Sequence, residues 1–333
     1  MKILVTGGAG YIGGTVAELL AGRGHQPVVF DNLSHGRREL VPDGIEFIEG
    51  DIADRALLEK LFISAKEQGA AFDGVLHFAA LIEAGESMVK PEIYFRNNTA
   101  STLSLLEAVL AHGPRKLVFS STAAVYGEPE VAPIPEDARL QPTNAYGESK
   151  LLVEHMLRWF NRIHGLRYAS LRYFNVAGAP EGANGITRGE AHEPESHLIP
   201  LILDVALGRR QSIRIYGDDY ATADGTCIRD YIHVSDLADA HLLALNALES
   251  SDGLIFNLGN GKGFSVKEVI ESARRVTGHA IPAEVHPQRP GDPAVLVASS
   301  EKAIRELGWK PRYTQLDDIL RTAWEWHQKR YRG

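Results

Sequence analysis

One stretch near the N-terminus limits the possible folds more than any other. Residues 2–6 read KILVT, a short apolar run, and GGAGYIGG follows, with Gly7, Gly10 and Gly13 at GxxGxxG spacing. A helix-period segment over residues 11–23 comes next, carried by Ile12, Val16, Leu19 and Leu20. Strand, glycine turn and helix in that order let the chain reverse tightly and bring a pyrophosphate to the backbone at a helix N-terminus. The stretch therefore predicts a dinucleotide-binding α/β unit.

The rest of the first half repeats the alternation. QPVVFD, IEFIEGD, GVLHFAA and KLVFSS read as strands, with helix-period segments at 54–67 (Leu57, Leu58, Leu61, Phe62) and 98–111 (Leu103, Leu106, Val109, Leu110). Near-continuous apolar strands are buried on both faces, so the expectation is a Rossmann-type doubly wound parallel sheet. A helix over 145–164 and the strand RYASLRYF extend it. Residues 178–197, GAPEGANGITRGEAHEPESH, lose periodicity, and a loop of that length is functional or mobile. Residues 198–227 and 264–330 read as mixed short elements, and YIHVSDLADAHLLALNAL between them as a strand end and a helix returning to the first domain. The predicted division is a dinucleotide domain over 1–177, completed near 228–262, and a smaller mixed α/β C-terminal domain over 178–227 and 263–333. There are no internal repeats or low-complexity tracts.

Composition bounds the function. Apolar residues make up 44% and charged residues 23% of 333, ordinary for a globular chain with room for two domains. A formal charge of −8 disfavours nucleic acid as a partner, so any anionic ligand must be met locally by arginines and helix N-termini. Cys227 is the single cysteine, which excludes internal disulfides and cysteine-rich zinc sites. No metal is expected. No export signal and no run of about 18 apolar residues is evident, so a cytoplasmic location without membrane partners is expected.

Several polar residues stand where such a sheet binds ligands. Asp31 ends the second strand and can accept from adenosine ribose hydroxyls, favouring NAD over NADP. Arg37 and Arg38 follow, as a solvated loop or a phosphate contact. Asp51 can accept from an adenine amino group or cap a strand-end turn. Ser120, Ser121 and Thr122 cluster after the fifth strand. In PTNAYGESK, with Thr143 or Asn144 as N-cap, Tyr146 and Lys150 lie one helical turn apart, and Val153 and Leu157 continue that face. An isolated pair of this kind is more simply a buried stripe with a snorkelling lysine. Beside a nucleotide site it suggests a tyrosine acid/base, because moving a phenol from a pKa of about 10 towards neutrality takes roughly 4 kcal/mol, which a close ammonium can contribute.

TGGAGYIG, DNLS, GDI, HFAA, GES, NN, SSTAAVYG, YGESK, RYFNVAG and RDYIHVSDLADAH, in order from Lys2 to about Trp309, resemble the UDP-glucose 4-epimerase family of extended short-chain dehydrogenases/reductases. The resemblance implies NAD as cofactor, a UDP-hexose as substrate and inversion at C4 through a transient 4-keto sugar and enzyme-bound NADH, within galactose metabolism. It implies that Gly7, Gly10, Tyr11, Ile12 and Gly13 line the pyrophosphate, Asp31 and Asn32 the ribose, and Asp51 and Ile52 the adenine. Phe78, Ala79, Ala80, Asn97, Ser120 and Tyr173 would flank the nicotinamide half. Tyr146 would be the acid/base, Lys150 would bond the ribose and depress the phenol, and Thr122 would hold the 4-hydroxyl. Asn175, His197, Leu198, Tyr216, Arg229, Arg289 and Asp292 would contact the UDP-sugar.

Three positions depart from the family pattern. Thr122 stands where serine is usual, Ile82 where some members carry lysine, and Leu296 near a position that gates N-acetylated sugars. A nucleotide-sugar 4,6-dehydratase or decarboxylase would start from the same oxidation but needs further acids, and Ala123 and Ala124 follow Thr122 instead. A non-catalytic NAD-sensing regulator is opposed by the joint presence of Thr122, Tyr146 and Lys150. Helices over 87–112 and 146–164 would form a homodimer interface as in the family, or pack on the sheet.

Overall fold

In the computed structural model, which describes residues 1–182, 185–186, 188–289 and 291–332, the expected alternation appears as a βα series. Pro290 of the RPGD motif and positions 183, 184 and 187 of the long loop lie outside the described residues. The first part runs β1 (Lys2–Thr6), α1 (Tyr11–Gly22), β2 (Gln26–Asp31), β3 (Glu46–Glu49), α2 (Arg55–Glu67), β4 (Gly74–His77), α3 (Ala84–Ser87), α4 (Pro91–Tyr94), α5 (Ser101–His112), β5 (Lys116–Thr122), α6 (Ala145–His164) and β6 (Arg167–Tyr173). The second part runs β7 (Asn175–Ala177), β8 (Glu181–Gly182), β9 (Gly185–Ile186), α7 (Leu198–Ala206), β10 (Ile213–Tyr216), β11 (Ile228–His233), α8 (Val234–Ala247), β12 (Leu254–Leu258), β13 (Gly263–Ser265), α9 (Val266–Thr277), β14 (Ala283–His286), β15 (Val295–Leu296), α10 (Glu301–Leu307) and α11 (Leu316–Arg332).

Seven parallel strands form the main sheet in the order β12-β6-β5-β4-β1-β2-β3. Alternate residues of β1 explain why its apolar run is unbroken: Ile3 and Val5 pack with Val16, Leu20 and the α8 side chains, while Leu4 packs on the other face with Leu58, Leu105 and Val153. The strand order reverses between β1 and β4. Their C-terminal ends therefore open a crevice, the place where such sheets hold ligands.

Local chemistry sets the element ends. Asp54 caps α2 by accepting from Leu57 N, and Asn144 caps α6 by accepting from Gly147 N at 2.8 Å. Gly165 ends α6 in the left-handed conformation, φ 69°. The helix expected over 87–112 is not continuous. Pro91, with no N–H to give a preceding turn, starts α4, and a π-helical turn over Phe95–Ala100 joins it to α5.

The second part differs from the short elements expected of it. Ile199, Ile202, Leu203, Ile213, Ile215, Val269, Ile270, Ile319 and Leu320 form a separate core, with α9 and α11 as full helices across it. Helix α8 packs on the main sheet. So does the 301–309 segment, grouped by the sequence with the smaller domain. Trp309, only 1% exposed, donates to Asp236 O at 2.9 Å and packs in the main core with Ala303.

Candidate active site

The glycine turn after β1 is held where no side chain fits. Gly7 has φ 74°, and a Cβ there would lie 2.5 Å from Ala79 N; a Cβ on Gly13 would lie 2.3 Å from Gly7 O. The two glycines thus let α1 sit directly on the turn and the turn on the strand end of β4. Gly10 is the N-cap of α1, without a side-chain cap and with no acidic residue in the first turn. The leading N–H groups of α1 are consequently available to an anion, and the cradle fits a dinucleotide pyrophosphate. Tyr11 is buried and donates to Gly178 O at 2.6 Å, tying α1 to the loop after β7.

Asp31 ends β2, 7% exposed. Its carboxylate accepts from Ala9 N at 3.0 Å and Leu33 N at 2.8 Å, while burial pushes its pKa up and those N–H groups oppose the rise. The carboxylate is thereby fixed at the crevice edge with lone pairs to spare. Asn32 donates to Asp51 at 2.8 Å, and Asp51 also accepts from Ala53 N, so Asp51 does cap a turn; Ile52 beside it is buried. Arg37 pairs with Glu193, and Arg38 stacks 4.6 Å over Phe47, so both arginines have partners within the chain.

Phe78, Ala79 and Ala80 continue from β4, half-buried, with Phe78 4.7 Å from the His241 ring. Asn97 and Asn98 lie on the π-helical turn. Asn98 bonds Leu81 N, Leu81 O and Ser149 Oγ, and Asn97 donates to Asn98, so the turn anchors this wall to α6. Under the floor, Thr6 Oγ1 donates to His77 Nδ1 at 2.7 Å, and His77 Nε2 donates to Thr102 Oγ1, which donates to Asn98 O. Burial, then the Lys150 charge, holds His77 down at about 3, so it is neutral.

Thr122, Tyr146 and Lys150 come together at the end of β5. Thr122 caps the 3-10 turn Ala123–Tyr126 by accepting from Ala124 N at 3.1 Å, and its hydroxyl lies close enough to the Tyr146 phenol to lower the phenol's pKa. A Cβ on Gly147 would meet Ala124 O at 2.6 Å, so a glycine beside Tyr146 is what lets α6 come this close. Ser87 Oγ accepts from Tyr146 N, and Ser149 Oγ donates to Tyr146 O. Lys150 is buried, donates to Ser120 O at 2.9 Å and lies 4.9 Å over Phe119. Burial lowers it to about 7. Burial also raises the Tyr146 pKa, offset in part by the Thr122 hydroxyl. In the protein alone, then, Lys150 bonds a carbonyl rather than depressing the phenol. Ser120 Oγ bonds the buried Tyr173 hydroxyl, whose pKa burial pushes up.

Behind these groups lies a support that the sequence reading missed. Arg172 on β6 makes two bonds to Glu154 on α6, at 2.9 and 2.6 Å, and Ser121 donates to the same carboxylate at 2.5 Å. Arg172 also bonds Tyr126 Oη and Glu136 O. The legible signal was a charged residue, Glu154, on the face already carrying Tyr146 and Lys150.

The residues expected to meet the sugar nucleotide belong mostly to the second core. Asn175 is exposed on β7, His197 is the N-cap of α7, and Leu198 is its first residue. Arg229 pairs with Asp292, and the Arg289 guanidinium stacks 4.0 Å over Tyr216. The nearby Arg214 side chain lowers the Tyr216 pKa against the effect of burial, and Arg289 adds to the lowering. Leu296 pairs with Arg229 in the β11–β15 register, which places it beside this cluster, and Ile82 is half-buried in the wall next to Leu81.

Residues 3–259 match the sequence model of the NAD dependent epimerase/dehydratase family. UDP-glucose 4-epimerase of Streptomyces lividans is 54% identical over 332 residues, spanning all of this chain and 98% of its own length. The crystal structure of UDP-glucose 4-epimerase from Brucella ovis in complex with NAD superposes with a TM-score of 0.91 at 45% identity, covering 97% of each chain. That from Bifidobacterium longum, in complex with NAD+ and UDP, gives 0.91 at 37% identity over all of this chain and 99% of the other.

Proposed function

The chain belongs to the NAD dependent epimerase/dehydratase family, as an isomerase that uses NAD, and from that membership we propose that it interconverts UDP-galactose and UDP-glucose by inversion at C4. The observation that carries the reading is the Thr122–Tyr146 contact at the mouth of β5, with Lys150 one turn on and the glycine cradle alongside.

When bound, NAD would supply reversible hydride acceptance at C4, so nothing would be consumed overall. Thr122 steadies the 4-hydroxyl, and Tyr146 Oη takes its proton as C4 is oxidised to the ketone, then gives a proton back on the opposite face. Lys150, lowered by burial to about 7, would hold the nicotinamide ribose, and its positive form would favour the tyrosinate. Gly7, Gly10, Tyr11, Ile12 and Gly13 take the cofactor pyrophosphate, with Asp31, Asn32, Asp51 and Ile52 at the adenosine and Phe78, Ala79, Ala80, Asn97, Ser120 and Tyr173 at the nicotinamide end. Arg229, Arg289, Tyr216, Asp292, Asn175, His197 and Leu198 grip the nucleotide end of the substrate, leaving the hexose free to turn. In this reading residues 1–177 with 228–262 serve the dinucleotide, and 178–227 with 263–333, apart from the 301–309 return, serve the sugar nucleotide. Such a reaction belongs to galactose metabolism in the cytoplasm. No helix among the described residues is long and apolar enough to cross a membrane.

The test is conversion of UDP-galactose by purified protein with no NAD added. UDP-glucose should form without net reduced nicotinamide. A folded, NAD-containing protein that makes none sinks the proposal, and a 4-keto-6-deoxy product would move it to the dehydratases, against which the apolar Ala123–Ala124 pair argues.

We also propose a homodimer built on α5 and α6. Leu103, Trp159 and Ile163 on these helices are exposed, with Met88, Val89 and Phe95 nearby in the chain, an apolar surface that a second copy would cover. Sedimentation velocity should give twice the 36.5 kDa chain mass, and Trp159→Glu should shift it towards the monomer; a monomeric wild type overturns the proposal.

A further inference from the structure

Ahead of α7, four side chains turn their donor atoms towards one point. Glu190, His192, Glu195 and His197 each offer a ligand atom, and these lie within 4.8 Å of one another. Their spacing in sequence, E-x-H-x-x-E-x-H, contains no cysteine and matches no helical zinc motif.

We propose that Glu190, His192, Glu195 and His197 bind one divalent transition-metal ion of the zinc class, which fastens the end of the long loop to the start of α7. The proposal requires neither substrate nor turnover, although it shares His197 with the substrate contacts proposed above.

The geometry is that of a ligand set. Zinc bonds to imidazole nitrogen and carboxylate oxygen are about 2.0–2.1 Å, so neighbouring ligands of a tetrahedral ion sit roughly 3.3 Å apart. His192 Nδ1 lies 3.3 Å from Glu190 Oε1 and 3.7 Å from Glu195 Oε1. His192 Nδ1 is enclosed by protein and has no aligned hydrogen-bond partner, although both carboxylates are at ion-contact range. A nitrogen aimed at two carboxylates without bonding well to either is placed as a ligand would be. His197 Nδ1 is hydrogen-bonded directly to the same Glu190 oxygen, a contact that a bound ion would have to open, and the two imidazole rings are perpendicular with centroids 5.2 Å apart.

The surroundings hold these groups in place. Glu190 is 7% exposed, and its carbonyl accepts from Trp326 Nε1 at 2.9 Å, fixing the backbone against α11. Glu195 Oε1 accepts from Ser196 N and His197 N at 2.9 Å, which holds that carboxyl group in place. Two imidazoles and two carboxylates make a nitrogen–oxygen set suited to zinc and its neighbours rather than to calcium or magnesium. With four protein ligands the site is closed, so its role is to hold structure and not to activate water. What it would hold matters: the same segment carries Ser196, which bonds Glu83 at 2.6 Å, and leads into His197 and Leu198.

Untagged protein carrying its cofactor is stripped with a chelator and titrated with Zn2+ by calorimetry, and with Co2+ by visible absorption. One equivalent should bind, and the Co2+ adduct should show the intense visible bands of a four-coordinate centre. His192→Ala and Glu195→Gln should each weaken Zn2+ binding by more than about 100-fold, since even loss of an outer partner costs 10- to 100-fold. Retained NAD and an unchanged circular dichroism spectrum establish that the variants are folded. No binding by the wild type, a six-coordinate Co2+ spectrum, or full-strength binding by both variants would each overturn the proposal. In those cases protons alone balance the carboxylates.

Discussion

Replacing Tyr146 by phenylalanine is expected to lower kcat for UDP-galactose turnover by about 10²–10⁴-fold, the range supplied by a positioned acid/base. The change removes one oxygen and little else. The ring keeps its edge contact with Tyr94, 6.5 Å between centroids, and the backbone bonds to Ser87 and Ser149 do not involve the side chain. The N-cap at Asn144 and the close approach at Gly147 are likewise untouched. Stability, NAD content and KM should therefore stay near wild type while kcat falls, a separation that marks loss of an interaction made during the reaction. Turnover within tenfold of wild type would mean that another group moves the proton.

Glu154→Ala should cost about 3–5 kcal/mol of stability, measured by urea unfolding, because it strands the Arg172 guanidinium in a site where both partners are buried. The carboxylate joins three elements: α6, β5 through Ser121, and β6 through Arg172. The double variant Glu154→Met with Arg172→Met is the informative control. Removing both charges removes the desolvation cost with them, so the pair of changes should be milder than either alone. Its activity should still fall, because the carboxylate sets how α6 lies on β5 and hence where Tyr146 and Lys150 meet Thr122. A single variant that loses less than about 1 kcal/mol would show that the ion pair contributes little.

The two substitutions probe different degrees of legibility. Tyr146, Lys150, Thr122 and the glycines each stand in a short segment visible in the sequence, and the roles proposed for them come from the family resemblance. Glu154 was visible only as a charge on a known face. Its partner sits 18 residues on in another strand, and no local pattern joins the two. The helix over 145–164 matches its expected bounds because an N-cap at Asn144 and a glycine stop at Gly165 flank a periodic face. The helix over 87–112 was misread because apolar spacing does not record a proline start or the extra residue of a π-helical turn.

What the sequence determined by itself is whatever depends on neighbours along the chain: the strand–glycine–helix entry, the alternation that requires a parallel sheet covered on both faces, and Tyr146 one turn from Lys150. What only the tertiary structure decided is whatever depends on segments far apart in sequence meeting at one place. The Lys150 ammonium turned to the Ser120 carbonyl, Trp309 carried back into the main core, the Glu154–Arg172 pair and the convergence of two histidines with two glutamates ahead of α7 are of this kind. Hydrogen bonds and ion contacts form over about 3 Å, and only the packed core fixes distances that short between elements the chain separates by tens of residues.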